Sequence, residues 1–304
     1  MKKSIITFMT KFFSFFFLLF FSSADGFAND DSLENRINSI ISGKKASVGV
    51  AVAGIEDNFT FSINGKNRFP MMSVYKFHIV LAVLNKVDGG NLKLDQKIML
   101  KKKDLHPGTW SPLRDKYPNG GVSIPLSEII EYTITQSDNN GCDILIALSG
   151  GTETVKNFID SKGINDFDIK ATEKECHESW NVQYSNWSTP VSAAALLKMF
   201  YDRKIVSSAS TEYLMNVMIR TSTGDKRIKG LIPPSADVAH KTGTSGTRNG
   251  ITPGTNDIGI VRLPNGKHFT IAVFVSDSRE NNAVNERIIA ETTKAVWDYF
   301  VKMN

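Results

Sequence analysis

Strand-like segments lie near the two ends of this 304-residue chain, whereas helical patterns fill the part between them. The apolar patterns predict five strands, at 46–53, 59–63, 238–244, 257–263 and 268–276. Amphipathic helices are predicted at 30–43 and 282–300. This order predicts an α/β (α+β) fold, with a five-stranded antiparallel sheet built from both chain ends and flanked by helices. We expect a sheet lobe at 29–66 and 228–304, with an all-helical lobe inserted at 67–227.

The first 28 residues have the pattern of a secretion signal. Lysines precede a strongly apolar run at 12–21, and small residues follow, with cleavage expected after Ala24 or Ala28. The run is too short for a comfortable membrane span, and no later stretch is long enough to be one. We therefore expect a mature chain, 29–304, in the periplasm and off the membrane; an uncleaved anchor is the alternative.

The formal charge of +5 comes partly from the leader, and no basic run is interleaved with aromatic residues. Nucleic-acid binding is therefore not expected. The chain has five histidines, and none of their spacings is that of a metal site: His78, His106, His177, His240 and His268. We expect no metal and no cofactor, and we expect His78 to be a core histidine with its hydrogen bonds satisfied.

Two cysteines, Cys142 and Cys176, remain in a chain predicted to be exported. A disulfide between them is one interpretation. Cys142 lies in an apolar helix-like segment, where a buried thiol behaves as a small hydrophobic group. We favour two free thiols.

A serine and a lysine three residues apart, Ser73 and Lys76, precede the apolar run 77–84. The run is apolar on nearly every face, which indicates a buried helix, and residues three apart on a helix share a face. A buried amine is driven toward its neutral form, in which it can accept the proton of a hydroxyl. Ser73 is thus a candidate nucleophile; the alternative is a capping serine beside a lysine whose amine reaches solvent.

Three further stretches carry groups suited to acyl transfer. Ser137-Asp138-Asn139 lies in a turn between predicted helices, and Lys241-Thr242-Gly243 ends a predicted strand. Glu173 lies in a polar stretch, 171–190, whose weak periodicity predicts a long ordered loop. Ser-x-x-Lys, Ser-Asp-Asn and Lys-Thr-Gly occur here in the order found in class A β-lactamases and penicillin-binding proteins.

The mature chain therefore resembles a class A serine β-lactamase, most closely the extended-spectrum branch of the VEB, PER and TLA type. It departs from most class A enzymes at four positions. His177 replaces the asparagine four residues after Glu173, and Asp143 replaces another asparagine. Ala171 and Asn186 replace an Arg–Asp ion pair. The exchange of acid and amide at Asp143 and Asn186 suggests that these two side chains contact each other.

The resemblance implies that Ser73 attacks the lactam carbonyl and forms an ester. The backbone N–H groups of Ser73 and Thr244 would form the oxyanion hole. Either Lys76, or Glu173 through a water, would accept the Ser73 proton. Ser137 would pass a proton to the leaving nitrogen, and Glu173 would activate the hydrolytic water.

The resemblance also implies a set of substrate-binding residues: Asn139, Lys241, Thr242, Gly243, Thr244, Trp110, Arg220 and His177. Trp110 would form an aromatic wall of the cleft, with plain surface packing as the alternative. Arg220 is a candidate second cation for the substrate carboxylate, with a solvated helix end as the alternative. Penicillins and cephalosporins are the implied substrates. Oxyimino-cephalosporins are included, because a long connection at 247–256 and a loosely held loop leave room for a bulky side chain.

A low-molecular-weight penicillin-binding protein and an acylated sensor domain remain as alternatives. The first would share the serine, the lysines and the fold, but it would lack a base that hydrolyses the ester. The second would need a membrane segment or a partner domain, and neither is visible in the sequence. Glu173 favours a hydrolase, which we expect to be a monomer that acts on small molecules.

Overall fold

The computed structural model describes residues 32–303, so the predicted leader and its cleavage sites lie outside the described residues. The helices are α1 (Leu33–Ile41), α2 (Lys76–Asp88), α3 (Pro112–Lys116), α4 (Leu126–Thr135), α5 (Asn139–Ser149), α6 (Thr152–Asp160), α7 (Glu173–Glu178), α8 (Pro190–Tyr201), α9 (Ser208–Ile219) and α10 (Asn282–Met303). The strands are β1 (Ser47–Gly54), β2 (Thr60–Ile63), β3 (Phe69–Pro70), β4 (Lys97–Leu100), β5 (Val122–Pro125), β6 (Phe167–Asp168), β7 (Trp187–Ser188), β8 (Val238–Thr244), β9 (Thr252–Arg262) and β10 (His268–Ser278). Short 3-10 turns lie at Met72–Tyr75, Lys102–Asp104 and Trp180–Ser185.

Five strands form one antiparallel sheet in the order β2-β1-β10-β9-β8, which confirms the predicted sheet and fold class. Strand β9 begins at Thr252, whereas the sequence predicted a strand only from residue 257. The missed residues, 252–256, are mostly polar, yet they are buried and pair with β10 up to Ser278. The connection between β8 and β9 is therefore shorter than predicted, at 245–251.

Each face of the sheet has its own apolar core. On one face, Val50, Val273 and their neighbours pack against α1 and α10, through residues such as Ile37 and Ile289. On the other face, the sheet packs against α8 and the helical part of the chain. Helix α2 runs through the centre of that part, and every residue from Lys76 to Leu84 is buried. The apolar run therefore forms the buried helix that the sequence predicted.

His78 lies in this core, but the prediction that its hydrogen bonds are satisfied was wrong. Neither ring nitrogen makes a hydrogen bond of normal geometry within residues 32–303. Burial lowers the pKa of His78 to about 3, so the ring is neutral at physiological pH. It packs against the ring of Phe167, with 5.3 Å between the ring centroids.

The stretch 171–190 is more regular than the predicted loop. It contains helix α7, the 3-10 turn Trp180–Ser185 and strand β7. Thr172 caps α7, because its side-chain oxygen accepts the backbone N–H of Glu175. The Glu175 carboxylate in turn accepts the backbone N–H of Thr172, and the two bonds form a capping box. Six residues are too few to show a helical period, so the capping-box residues were the sequence signal that could have predicted this helix.

Candidate active site

Ser73 lies on the 3-10 turn that runs directly into α2, one turn before the Lys76 amine. Lys76 is fully buried, and its Nζ donates to Ser73 Oγ (2.9 Å), the Ser137 carbonyl (2.7 Å) and Asn139 Oδ1 (2.6 Å). It also forms an ion pair with Glu173 Oε1, at 2.9 Å. Ser73 Oγ lies 3.5 Å from that same carboxylate oxygen. An amine and a carboxylate therefore both lie within reach of one hydroxyl.

Glu173 is the first residue of α7, and Asp143 on α5 holds it there. The two carboxylate oxygens of Asp143 accept the backbone N–H groups of Glu173 (2.7 Å) and Lys174 (2.9 Å). Burial, with a contribution from the negative charge of Glu173, raises the pKa of Asp143 to about 6. Asp143 is thus a half-buried carboxylate that positions the backbone of the candidate base.

The predicted contact between Asp143 and Asn186 was wrong. Asn186 accepts the backbone N–H groups of Lys170 (2.8 Å) and Ala171 (2.9 Å), and its own amide donates to the Ala171 carbonyl (2.9 Å). It therefore fastens the entrance of the 171–190 stretch, whereas Asp143 fastens α7. An amide suits position 186 because this site needs both a donor and an acceptor, which an ionised carboxylate cannot provide.

Ser137 and Lys241 meet on the other side of Ser73. Lys241 is fully buried, and its Nζ donates to Ser137 Oγ (2.9 Å) and to the Thr242 carbonyl (2.8 Å). Burial lowers the pKa of Lys241 well below its ordinary value, and the charge on Lys76 lowers it further. An ammonium group whose pKa is lowered gives up its proton more readily, so Lys241 can serve as a proton source for Ser137.

Asp138, the middle residue of Ser-Asp-Asn, has a structural role that the sequence did not reveal. It is buried, it caps α5 through Gly141 N, and it accepts from Ser111 Oγ and Leu113 N. Its bonds join α5 to the segment that carries Trp110, an aromatic side chain that is 61% exposed. Trp110 lines the cleft, as predicted, and its indole N–H donates to the Gln136 carbonyl at 2.8 Å.

Asn139 also faces the cleft, and its amide nitrogen donates to Thr109 Oγ1 at 2.6 Å. Gly243 is required by close packing, because a Cβ there would lie 2.5 Å from the Met71 carbonyl. Because Gly243 has no Cβ atom, strand β8 can pass directly beside the turn that carries Ser73. Thr242 and Thr244 line the cleft on this strand.

The structure contradicts the prediction for Arg220. Its guanidinium binds both carboxylate oxygens of Glu131, at 2.7 and 3.1 Å, and it lies outside the cleft. Arg220 caps the end of α9, so its side chain reaches across to α4 rather than to β8. Arg227 does line the cleft beside β8; it is buried and donates to Thr244 Oγ1 at 2.8 Å.

The sequence missed Arg227 because it lies in an irregular segment that no motif marks. Its guanidinium also donates to the carbonyls of Gly243 (3.2 Å) and Asn256 (3.0 Å), and Glu286 on α10 pairs with it at 3.3 Å. These contacts fix the group beside the end of β8.

His177 is exposed on α7 and lines the cleft. It lies against Gly108, where a Cβ would be 3.4 Å from its Nε2 atom. Both cysteines are free thiols, as favoured from the sequence. Cys142 is buried in α5, whereas Cys176 is half-buried at the edge of the cleft.

These side chains surround one cleft with a volume of about 730 Å³. A serine hydroxyl, two flanking amines, a carboxylate and an arginine converge there, and such a set is suited to acyl transfer to a hydroxyl followed by hydrolysis. Within residues 32–303, no cluster of three or more His, Cys, Asp or Glu side chains is arranged to hold a metal.

Comparisons with known proteins agree with this geometry. The family described as "Beta-lactamase enzyme family" matches residues 32–300. Beta-lactamase VEB-1 of Pseudomonas aeruginosa is 43% identical over 285 residues, covering 93% of this chain and 95% of that protein. Extended-spectrum beta-lactamase PER-1 of the same organism is 40% identical over 282 residues, covering 93% and 92%. The crystal structure of TLA-3 extended-spectrum beta-lactamase superposes with a TM-score of 0.88 at 58% identity, covering 89% of this chain and 99% of that one.

Proposed function

Because the chain belongs to the class A β-lactamase family and hydrolyses β-lactams, we propose that it does so through an ester on Ser73 that Glu173 then helps to hydrolyse. The family membership predicted from the motifs is confirmed. The observation that carries the proposed mechanism is the convergence of Lys76 and Glu173 on one hydroxyl, with Lys76 Nζ 2.9 Å and Glu173 Oε1 3.5 Å from Ser73 Oγ.

In the acylation step, Ser73 Oγ attacks the lactam carbonyl and the C–N bond breaks. The Ser73 proton passes to Lys76, or to Glu173 through a water. Ser137 gives a proton to the leaving nitrogen, and Lys241, at 2.9 Å, restores it. The backbone N–H groups of Ser73 and Thr244 would stabilise the oxyanion; losing one such donor typically costs about 10²–10³ in rate.

The substrate carboxylate would bind between Lys241, Thr242 and Thr244. We assign Arg227 the role that the sequence gave to Arg220, because its buried guanidinium already contacts Thr244. Asn139 would hold the amide of the acyl side chain, and Trp110 would cover the open side of the cleft. We include oxyimino-cephalosporins among the substrates, since proteins named as extended-spectrum enzymes are close relatives.

In the second step, Glu173 would take a proton from a water that attacks the Ser73 ester. A general base must lie within hydrogen-bond reach of the proton it removes, directly or through one water. The bonds from Asp143 keep Glu173 at this place, and His177 on the same helix would help to position the water. This base distinguishes the proposed hydrolase from a penicillin-binding protein, whose ester persists.

We also propose where the mature enzyme works. Residues 1–28 would direct export and be removed after Ala24 or Ala28, leaving 29–304 as a periplasmic monomer with no nucleic-acid or membrane partner. Within residues 32–303, no helix has the length and apolar character needed to cross a bilayer. The proposed sheet lobe (29–66 and 228–304) is supported by the apolar core under α1 and α10, which is built only from residues of those two ranges. The other core contains residues of this lobe and of the proposed helical lobe (67–227), so it joins the two.

The decisive experiment replaces Glu173 by Gln, which keeps the shape and removes the basicity. Acylation should survive through Lys76, whereas hydrolysis of the ester should nearly stop. Intact-mass spectrometry after mixing with a penicillin should show one persistent adduct, absent from Ser73→Ala. Wild-type turnover by Glu173→Gln without an adduct would show that another group is the hydrolytic base.

A further inference from the structure

Arg248 lies at the tip of the β8–β9 hairpin, on a short turn that has its own hydrogen bonds. Arg248 and Ile251 exchange both backbone hydrogen bonds, each at 3.0 Å. The two residues between them, Asn249 (φ 53°) and Gly250 (φ 71°), both have left-handed backbones. This is the Asn-Gly pattern of a tight type I′ turn, whose twist matches that of the flanking strands.

Further bonds connect this turn to the sheet. Ser245 N donates to the Gly254 carbonyl at 2.9 Å, and Gly254 N donates to Ser245 Oγ at 3.0 Å. The hydroxyls of Thr247 and Thr252 lie 2.7 Å apart. The hairpin thus continues past the ends of its two long strands, and Arg248 is held by a paired extension of the sheet.

The guanidinium of Arg248 lies over Trp180, which comes from the opposite side of the cleft. Its Cζ atom is 5.8 Å from the centroid of the Trp180 ring, within the range of a cation–π contact. Trp180 begins the 3-10 turn Trp180–Ser185, which follows the helix that carries Glu173. Both side chains line the same cleft as Ser73.

The Arg248 guanidinium has no hydrogen bond or ion pair to any residue in the part of the chain that the structure describes. The acids that line the cleft are engaged elsewhere, Glu173 with Lys76 at 2.9 Å and Glu178 with Lys174 at 3.2 Å. Arg227, by contrast, is paired with an acid on α10. Arg248 therefore presents unused N–H donors to the cleft, in the planar arrangement that matches a carboxylate.

Arg248 is also separate from the cations assigned to the carboxylate of the lactam nucleus. It follows Thr244 by four residues, a chain length that spans up to roughly 13 Å when extended. The nucleus carboxylate would lie beside Lys241 and Arg227, and the acyl side chain would extend from Asn139 toward the hairpin tip. Arg227 contacts Thr244 at the end of β8, whereas Arg248 lies at the hairpin tip over Trp180.

We propose that Arg248 and Trp180 form a second anion subsite, which takes β-lactams whose acyl side chain itself ends in a carboxylate. The carboxylate would bind the free N–H groups of Arg248, while the indole beneath holds the guanidinium plane in place. This inference rests on the proposed function, because it assigns a substrate class to the same cleft.

The test compares two oxyimino-cephalosporins that differ only at the oxime, one with a neutral methoxy group and one with a carboxyalkoxy group. For Arg248→Gln, kcat/KM for the carboxyalkoxy compound should fall about tenfold or more, mainly through KM, as expected for the loss of a charge-assisted hydrogen bond. The methoxy compound should change by less than about twofold, because a neutral group gains little from a cation. Arg248→Lys should recover part of the loss, and added salt should raise KM only for the anionic compound.

Arg287→Gln is the matched control, since it removes an exposed arginine on α10 outside the cleft. An equal loss for both cephalosporins in Arg248→Gln would overturn the subsite, because it would show that Arg248 only holds the hairpin. No change for either compound would overturn it as well.

If neither compound nor a penicillin is turned over by the wild type, the proposed function fails. The subsite is then decided by equilibrium binding of the two cephalosporins. Weaker binding of only the carboxyalkoxy compound to Arg248→Gln supports the subsite, and equal binding of both compounds overturns it.

Discussion

Replacing Asp143 by Asn tests whether a half-buried carboxylate holds the candidate base at a cost in stability. Both oxygens of Asp143 accept backbone N–H groups from the first turn of α7, at 2.7 and 2.9 Å. Burial raises the pKa of this carboxyl from 3.8 to about 6, and the nearby Glu173 charge adds to the effect. Asn keeps one acceptor oxygen and cannot ionise.

The sign of the pH dependence follows from the raised pKa. Between about pH 4 and pH 6, the folded protein keeps a proton that the unfolded chain has already released. The stability that Asp143 contributes is therefore complete below about pH 4, and it is lost as the pH rises through about 6. The difference between 3.8 and about 6 corresponds to about 3 kcal/mol of unfolding free energy.

We therefore expect the stability of Asp143→Asn, relative to the wild type, to rise by up to about 3 kcal/mol between about pH 4 and pH 7. The lost acceptor adds a penalty of about 1–3 kcal/mol, so the net gain in stability at neutral pH is at most about 2 kcal/mol. At neutral pH, deacylation should still slow, because one N–H at the start of α7 loses its partner.

Urea unfolding followed by circular dichroism at several pH values measures this difference. Asp95→Asn is the control, since Asp95 is exposed and its replacement should give no comparable trend. A difference between Asp143→Asn and wild type that stays constant from about pH 4 to pH 7 would refute the reasoning, as would the same trend in Asp95→Asn.

Two further predictions concern the arginines and the thiols. Arg227→Gln should raise KM for a cephalosporin about tenfold or more, because a charge-assisted bond to the substrate carboxylate is lost, whereas Arg220→Gln should change it less than about twofold in steady-state assays. Burial raises the pKa of Cys176 to about 12 and that of Cys142 well above its ordinary value, so a thiol reagent should react slowly with the folded enzyme and quickly with both thiols in urea. Fast reaction of either thiol in the folded state would contradict the second prediction, and equal effects at the two arginines would contradict the first.

The local pattern of the sequence was enough to predict the sheet, its helical covering and the buried helix α2. Apolar side chains repeat with the period of the element that they bury, so strand and helix are visible wherever burial follows a period. The start of strand β9 was missed because residues 252–256 are mostly polar and show no apolar pattern. These residues are nevertheless buried, since they pair with β10. Helix α7 is too short to show a period.

The catalytic groups predicted from the sequence lie together because their motifs sit at the ends of these elements. Ser73 and Lys76 share one turn, whereas Ser137, Glu173 and Lys241 reach them only through the packing of α5, α7 and β8. Motif spacing indicated which residues to expect, and the distances between them depend on how those elements pack.

The tertiary structure alone decided which side chains fasten and flank the cleft. Arg220 and Arg227 look alike in the sequence, yet one binds Glu131 on α4 and the other reaches Thr244 on β8. Asp143 and Asn186 suggest a pair, yet each bonds to a different part of the backbone. Hydrogen bonds and ion pairs form between residues that are distant in the chain, and they leave no periodic pattern in the sequence. The sequence by itself therefore determines the helices, the strands and the reactive groups, whereas the packed fold determines which partners those groups contact.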